Sequence, residues 1–278
     1  MSSNPIARED EMALAETLPQ ADASSLVDRA LLEAQVRDMY RQVAREEEAD
    51  LHFAVGRPVA LRLGYPDELL DAIPPEALAS FAGVGYHFDL ASLEPGEQVL
   101  DLGSGSGTDV FCAALQVGAS GRVVGVDFTD EQIAKATRLR DRDGFAQAEF
   151  VEASIDDLPF EAASFDAVVS NGVINLSPVK HRVFAEAARV LRPGGRLAIA
   201  DIVSSRALKE RTRRNVELWA ACIAGAIPRD RYLSALEDAG FRVEDVRVND
   251  YDFISEHALD ACSTYGVESI SLGAVKAA

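Results

Sequence analysis

The chain has 278 residues, 48% of them hydrophobic and 26% charged, a globular composition with enough apolar material for a large core, which excludes wholesale disorder. Its formal net charge of −19 repels polyanions, so no nucleic acid is expected as a partner, and the basic run Lys209-Glu-Arg-Thr-Arg-Arg214 reads as a solvated helix face. No stretch reaches the roughly 18 apolar residues of a membrane span, the first residues lack a secretory pattern, and Cys112, Cys222 and Cys262 lie too far apart for a disulfide framework or a C-x-x-C pair. A cytoplasmic chain with a small-molecule partner and no membrane is the expectation.

Residues 1–24, polar, acidic and rich in Ala and Ser, read as a flexible tail. From Ser25 onward Leu32, Val36, Tyr40 and Val43 recur at helical spacing up to the acidic run Glu46-Glu-Glu48, predicting an amphipathic helix that packs over the following domain as a lid. Pro58, Pro66 and Pro74-Pro75 then break the chain into short helices and loops. This part ends in Gly83-Val-Gly-Tyr-His-Phe-Asp89, where Tyr86, His87 and Asp89 are candidates for proton removal, the alternative being a plain connector. His87 stands ahead of His52, His181 and His257, which sit in polar settings. Residues 25–95 are therefore read as a helical, substrate-side extension and 96–278 as the main domain.

After Pro95-Gly96, short apolar strands are predicted at 98–102, 122–127, 148–152, 166–170 and 196–203, with helices at 107–117, 130–141 and 179–190 between them. A helix pair at about 209–224 and 229–239 and two strand-like runs at 241–248 and 267–275 follow. Strand and helix in alternation predict a parallel α/β sheet covered on both faces.

The first strand runs into Val99-Leu-Asp-Leu-Gly-Ser-Gly-Ser-Gly-Thr108, where Gly103, Gly105 and Gly107, with Ser104 between them, permit a tight turn and close approach of a ligand. The spacing is G-x-G-x-G and Asp101 stands at the strand end. A carboxylate there suits an ammonium group and repels a pyrophosphate, which argues against a dinucleotide dehydrogenase. Asp127, followed by Phe128, closes the second strand about 20 residues on, where an acid accepts hydrogen bonds from ribose. Ser154, Ile155 and Asp156 leave the third strand at the same edge, placed for an adenine.

These three elements resemble the class I S-adenosylmethionine (SAM)-dependent methyltransferases. The resemblance implies SAM as cofactor, S-adenosylhomocysteine as product, and a Rossmann-like, mostly parallel sheet of seven strands with the last antiparallel. Ligands of such sheets sit beyond the strand carboxyl ends, so Ser170-Asn-Gly-Val-Ile-Asn-Leu-Ser-Pro178 is expected at the acceptor, with Asn171 holding the methionine end or the acceptor, or simply forming a turn.

SNGVINLSP, RVLRPGGRLAIAD, LWAACIAGAIP and YGVESISLGAVK further resemble the arsenite methyltransferase branch. That resemblance implies three arsenic-binding cysteines, at positions that read here Gly83-Val84-Gly85, Asn171-Gly172 and Cys222, so two of the three thiols are absent. A trivalent metalloid needs several thiolates. The expectation is therefore methyl transfer to a small soft nucleophile, a thiol or related chalcogen compound, with no bound metal. Cys222 is either a residual substrate contact or a packed helix residue, Cys262 a substitute ligand if the C-terminal segment folds back, and Cys112 core. The alternatives are an arsenite methyltransferase with a reduced cysteine set, carbon or oxygen methylation of a small metabolite, and a SAM-binding protein without chemistry.

Overall fold

The computed structural model describes residues 23, 25–45, 54–215, 218, 219, 222–254 and 256–277. The expected tail is outside this range apart from Ala23, as are the acidic run 46–48 and His52.

Helix α1 (Arg29–Arg45) is followed by four short helices, α2 (Arg57–Arg62), α3 (Asp67–Asp71), α4 (Pro75–Ala79) and α5 (Phe88–Ala91). Pro74 and Pro75 show why they stay short. Proline lacks the N–H that continues a helix, so it sits at helix starts, and Pro75 opens α4.

The main domain then runs β1 (Gln98–Leu102), α6 (Thr108–Val117), β2 (Arg122–Asp127), α7 (Asp130–Asp143), β3 (Ala148–Glu152), β4 (Phe165–Asn171), a 3-10 turn (Ile174–Leu176), α8 (Lys180–Val190) and β5 (Leu191–Ser204). It finishes with α9 (Glu210–Arg213), α10 (Arg229–Asp238), β6 (Phe241–Val248), α11 (Glu256–Tyr265) and β7 (Val267–Lys276). The sheet has seven strands in the order β3-β2-β1-β4-β5-β7-β6, and β7 alone runs in the direction opposite to the other six.

Its central strands are apolar throughout because both faces are covered. Val99, Val123 and Val169 pack with Phe111 of α6 on one side, while Leu100, Val124 and Val168 pack with Phe184 of α8 and Leu236 of α10 on the other. β1 lies between β2 and β4, so the chain leaves the centre of the sheet in both directions from it, and a crevice opens at its carboxyl end.

Two sequence expectations need correction. The helix expected over 209–224 is not continuous: α9 ends at Arg213, and the turn after Trp219 closes with Cys222 at φ 60°. Cys222 N–H bonds to the Trp219 carbonyl at 2.9 Å and Ile223 N–H to that of Leu218 at 2.9 Å, the left-handed helix cap in which glycine is usual. A cysteine in that position gives no stop signal to a sequence reader. Helix α11, in turn, occupies a segment for which no element was expected.

Candidate functional site

β1 delivers the chain into Gly103, Gly105 and Gly107, at φ 73°, 52° and 96°. A Cβ on Gly103 would stand 2.5 Å from Val173, so at that position only glycine fits. Beyond this cradle lies a cavity of about 260 Å³, walled by Gly103, Asp127, Phe128, Ser154, Ile155 and Asp156 and roofed by Arg29, Val36 and Arg37 of α1. A narrower chamber of about 70 Å³ continues from it past Asp101, Ser104, Gly105, Asn171 and Gly172 to Tyr40.

The chamber is set up for a cation. Asp101 is 1% exposed and its Oδ2 has no hydrogen-bond partner, and the Ser104 hydroxyl beside it lacks one too. Burial, reinforced by the nearby Asp109 and Asp127, holds the Asp101 carboxyl well above the usual range. An ammonium group supplies what this atom is missing. Asp127 is pinned by its own loop: Oδ2 accepts from Gly105 N–H at 3.0 Å and Oδ1 from Thr129 N–H at 2.8 Å. Each oxygen keeps a lone pair for a ribose hydroxyl. Burial raises its pKa against the pull of those bonds. SAM fits this arrangement, with Asp101 for the ammonium, Asp127 for the ribose, and Phe128 with Ser154 to Asp156 around the base.

The roof was only partly foreseen. Arg29 grips Asp156 through both carboxylate oxygens, at 2.8 and 3.1 Å. Burial opposes ionisation of Asp156, but hydrogen bonds from Arg29 and Ser154 outweigh it and its pKa is lowered. The Arg37 guanidinium lies 5.0 Å from the Phe128 ring centroid. Arg41 binds Glu131 at 2.7 Å and Asp130 at 3.0 Å, both at the start of α7. Arginines at 29, 37 and 41 are spaced by multiples of four along the edge of the apolar stripe, a signal that could have pointed to these contacts and that the reading of the apolar residues alone passed over.

At the acceptor end the polar groups are already engaged. Asn171 Oδ1 accepts from Val84 N–H at 2.8 Å, while its Nδ2 donates to Tyr65 Oη and the Gly85 carbonyl at 3.0 Å and to Asp109 at 3.1 Å. Its side chain thus clamps the Gly83–Gly85 loop. From the other side Ser269 Oγ donates to the Val84 carbonyl at 2.6 Å and Ser271 Oγ to that of Tyr86 at 3.1 Å. Two of the three positions expected for thiols meet, and the third shares their apolar cluster. A Cβ on Gly172 would lie 3.5 Å from Val84 Cγ1, and Val84, Leu176, Ala200 and Cys222 share one apolar cluster. Burial pushes the Cys222 thiol up to about 12. Cys262 is partly buried against the same cluster, and Cys112 is fully buried in the core as expected.

The other predicted residues are not brought into the cavity. His87 is fully buried, stacked on Phe88 at 4.6 Å, and neither ring nitrogen has a hydrogen-bond partner. Burial lowers its pKa and keeps it neutral. Tyr86 packs edge-on against Tyr65 at 4.9 Å, and Asp89 is paired with Arg247. None of the three lines either cavity.

A sequence profile described as a methyltransferase domain matches residues 93–240. An arsenite methyltransferase of Halobacterium salinarum is 39% identical over 72% of this chain and 51% of its own length, and one of Aquipseudomonas alcaligenes is 46% identical over 57% of this chain and 47% of its own. The chain spans about half the length of these curated relatives. Among solved structures, an arsenic(III) SAM methyltransferase from Chlamydomonas reinhardtii superposes with a TM-score of 0.59 at 30% identity, covering 81% of this chain and 75% of that one. The chain belongs to the class I SAM-dependent methyltransferases, on their arsenite methyltransferase-like branch.

Proposed function

We propose that this chain transfers a methyl group from SAM to a small soft nucleophile, a thiol or a related chalcogen compound. The observation that carries the reading is that Gly172 and Val84 stand in contact beside the chamber with no thiol on either, which leaves Cys222 as the one thiol among the three positions. Among the described residues no group of three His, Cys, Asp or Glu is placed to hold a metal ion. An acceptor that is attractive here needs no chelation, and the narrowness of the chamber favours a few heavy atoms over a large metabolite.

SAM, when bound, supplies an electrophilic methyl group on a sulfonium sulfur. The chain's own work is orientation and exclusion of water. Asp101 holds the amino end, the glycine cradle lets the backbone approach, and α1 covers the base. Asn171 fixes the Gly83–Gly85 loop, so that Val84 and Gly172 form a rigid back wall for the acceptor. Tyr86, His87 and Asp89 lie outside the cavity, so the acceptor enters already as its thiolate, the reactive form at an ordinary thiol pKa of roughly 8.5.

Cys222 and the arsenite methyltransferase relatives favour one second reading, arsenite methylation with a reduced thiol set. Release of S-adenosylhomocysteine from purified protein and SAM separates the two, with small thiols, sulfide, selenide, arsenite and a phenol supplied in turn. Turnover with thiols or chalcogenides and none with arsenite is expected. Turnover with arsenite alone overturns the proposal, and tight SAM binding without any product marks a binding protein.

A further inference from the structure

Two buried titratable groups that the proposed chemistry does not use stand on either side of the Ile174–Leu176 turn, joined through Asn175. Lys180, the first residue of α8, is 2% exposed, and Asp201, on β5, is wholly buried. Lys180 Nζ donates to the carbonyls of Asn175 and Ser177, each at 2.9 Å, and stands 5.2 Å from the Trp219 ring centroid. Asp201 accepts from Tyr232 Oη at 2.8 Å and from the Ile202 N–H at 2.8 Å, and the Asn175 backbone N–H also reaches it.

Asn175 is therefore held at its N–H by the acid and at its carbonyl by the base. Its side-chain Nδ2 in turn donates to the carbonyl of Cys222 at 2.7 Å. One 3-10 turn thus links the pair to two walls of the site. Val173, Leu176 and Ser177 face the cofactor cavity, and Cys222 sits in its left-handed cap within the apolar cluster that also holds Leu176 and Val84.

We propose that Lys180 and Asp201 are positioning residues for methyl transfer, a buried brace whose charge state sets how firmly the Ile174–Leu176 turn and the Cys222 cap are held. The proposal rests on reading that wall as the methyl-transfer site. Its physical basis is that hydrogen bonds from an ammonium to a carbonyl are roughly twice as strong as those from a neutral amine. The groups facing Lys180 act in opposite directions: Asp201 favours its protonated form, Arg213 on α9 opposes it, and burial is the largest influence and pulls its pKa down toward neutrality. Burial likewise raises Asp201, against its bonds from Tyr232 and Ile202 and the charge of Lys180.

Trp219 is the sole tryptophan of the chain and its ring faces the ammonium, so its emission reports the charge on Lys180 directly. The experiment is a pH titration of Trp219 emission in the full chain, paired with the SAM dissociation constant by equilibrium dialysis. The free protein is expected to show an emission transition near pH 7, absent in Lys180→Met and moved to lower pH in Asp201→Asn, where the favourable countercharge is gone. SAM affinity is expected to weaken by roughly three- to tenfold on the alkaline side of the same transition, and Lys180→Arg, charged at every accessible pH, to flatten that limb. A flat emission profile in the unmodified chain, an unchanged transition in Lys180→Met, or an alkaline limb that persists in Lys180→Arg overturns the proposal. Failure to bind SAM at any pH sinks the methyltransferase reading and with it the role assigned to the brace, whereas the emission titration tests the brace's charge independently.

Discussion

The two ends of the cavity are built on opposite plans. At the cofactor end, polar atoms are left without partners inside a buried chamber: Asp101 Oδ2 and the Ser104 hydroxyl await a ligand. At the acceptor end Asn171, Ser269 and Ser271 commit their polar groups to the Gly83–Tyr86 loop, and the chamber there is lined by Gly172, Val173 and Leu176, with Val84 packed behind Gly172. The first end recognises its ligand by completing hydrogen bonds and the second by shape. A change at the first end should therefore alter affinity, and a change at the second should alter turnover or the choice of acceptor.

The largest effect tests the first half of that statement. Asp101→Asn keeps the shape and removes the charge, and SAM affinity is expected to fall by about 10- to 150-fold, the worth of a charged hydrogen bond. The free protein should be no less stable, since an uncompensated buried carboxyl is removed. The pH dependence follows from the sign of the shift. Asp101 is raised by burial, so it takes up a proton at a higher pH than an ordinary carboxylate does, and SAM binding in the unmodified chain should weaken as the pH falls. Calorimetric titration of both proteins across pH checks this: an acid limb that survives in Asp101→Asn would assign the cation site elsewhere.

Acceptor choice is the next lever. Val84→Cys with Gly172→Cys restores the two missing thiols beside Cys222. A Cβ at Gly172 meets Val84 only at ordinary contact distance, so there is room, but its φ of 77° costs a cysteine there about 1–2 kcal/mol. Arsenite turnover of the double variant is expected to exceed that of the unmodified chain by at least about tenfold, measured as S-adenosylhomocysteine release. No gain would mean that these positions do not face the acceptor.

Asn171→Ala separates the ends most cleanly. It breaks the clamp on the Gly83–Gly85 loop while leaving Asp101 and Asp127 untouched, so kcat should fall by roughly 10- to 100-fold with the SAM dissociation constant within about threefold. Equal losses in both would place Asn171 on the cofactor instead.

The same contrast explains what could be read from the chain. The cofactor end was legible because each of its parts is local: a strand, a glycine turn and an acid lie within a few residues, and the geometry of a parallel sheet forces Asp101, Asp127 and Ser154 to one edge. Strands and most helices of the main domain followed for the same reason. The acceptor end is assembled from residues 83–85, 171–176, 222 and 269–271, and no spacing reveals that Asn171 faces Val84 or that Asn175 holds Cys222. His87 was misplaced by its neighbours. A glycine-punctuated loop just before the main domain suggested a side chain closing over the substrate, whereas the ring turns away from the cavities and stacks on Phe88. The helix expected over 209–224 already stops at Arg213, and further on Cys222 takes the conformation where glycine normally announces a stop.

The smallest expected effect concerns the roof, where both plans meet. Arg29 is 40% exposed and Asp156 4%, so the pair is half in solvent and its attraction is partly screened. Arg29→Ala should weaken SAM binding by only about threefold, through faster release, and the difference should shrink as salt is raised. Because Arg29 and Ser154 hold Asp156 below the ordinary carboxylate range, the pair stays charged until the pH falls below that range. The ratio of the two affinities should therefore be constant through neutrality, unlike the limb set by Lys180. Asp156→Asn combined with Arg29→Ala should cost no more than Arg29→Ala alone, since the single variant leaves a buried carboxylate without its partner. Stopped-flow release of SAM from the unmodified chain, Arg29→Ala, Asp156→Asn and the double variant measures this. Additive losses would mean that Asp156 contacts the base in its own right, and α1 would then be a cover for a site complete without it.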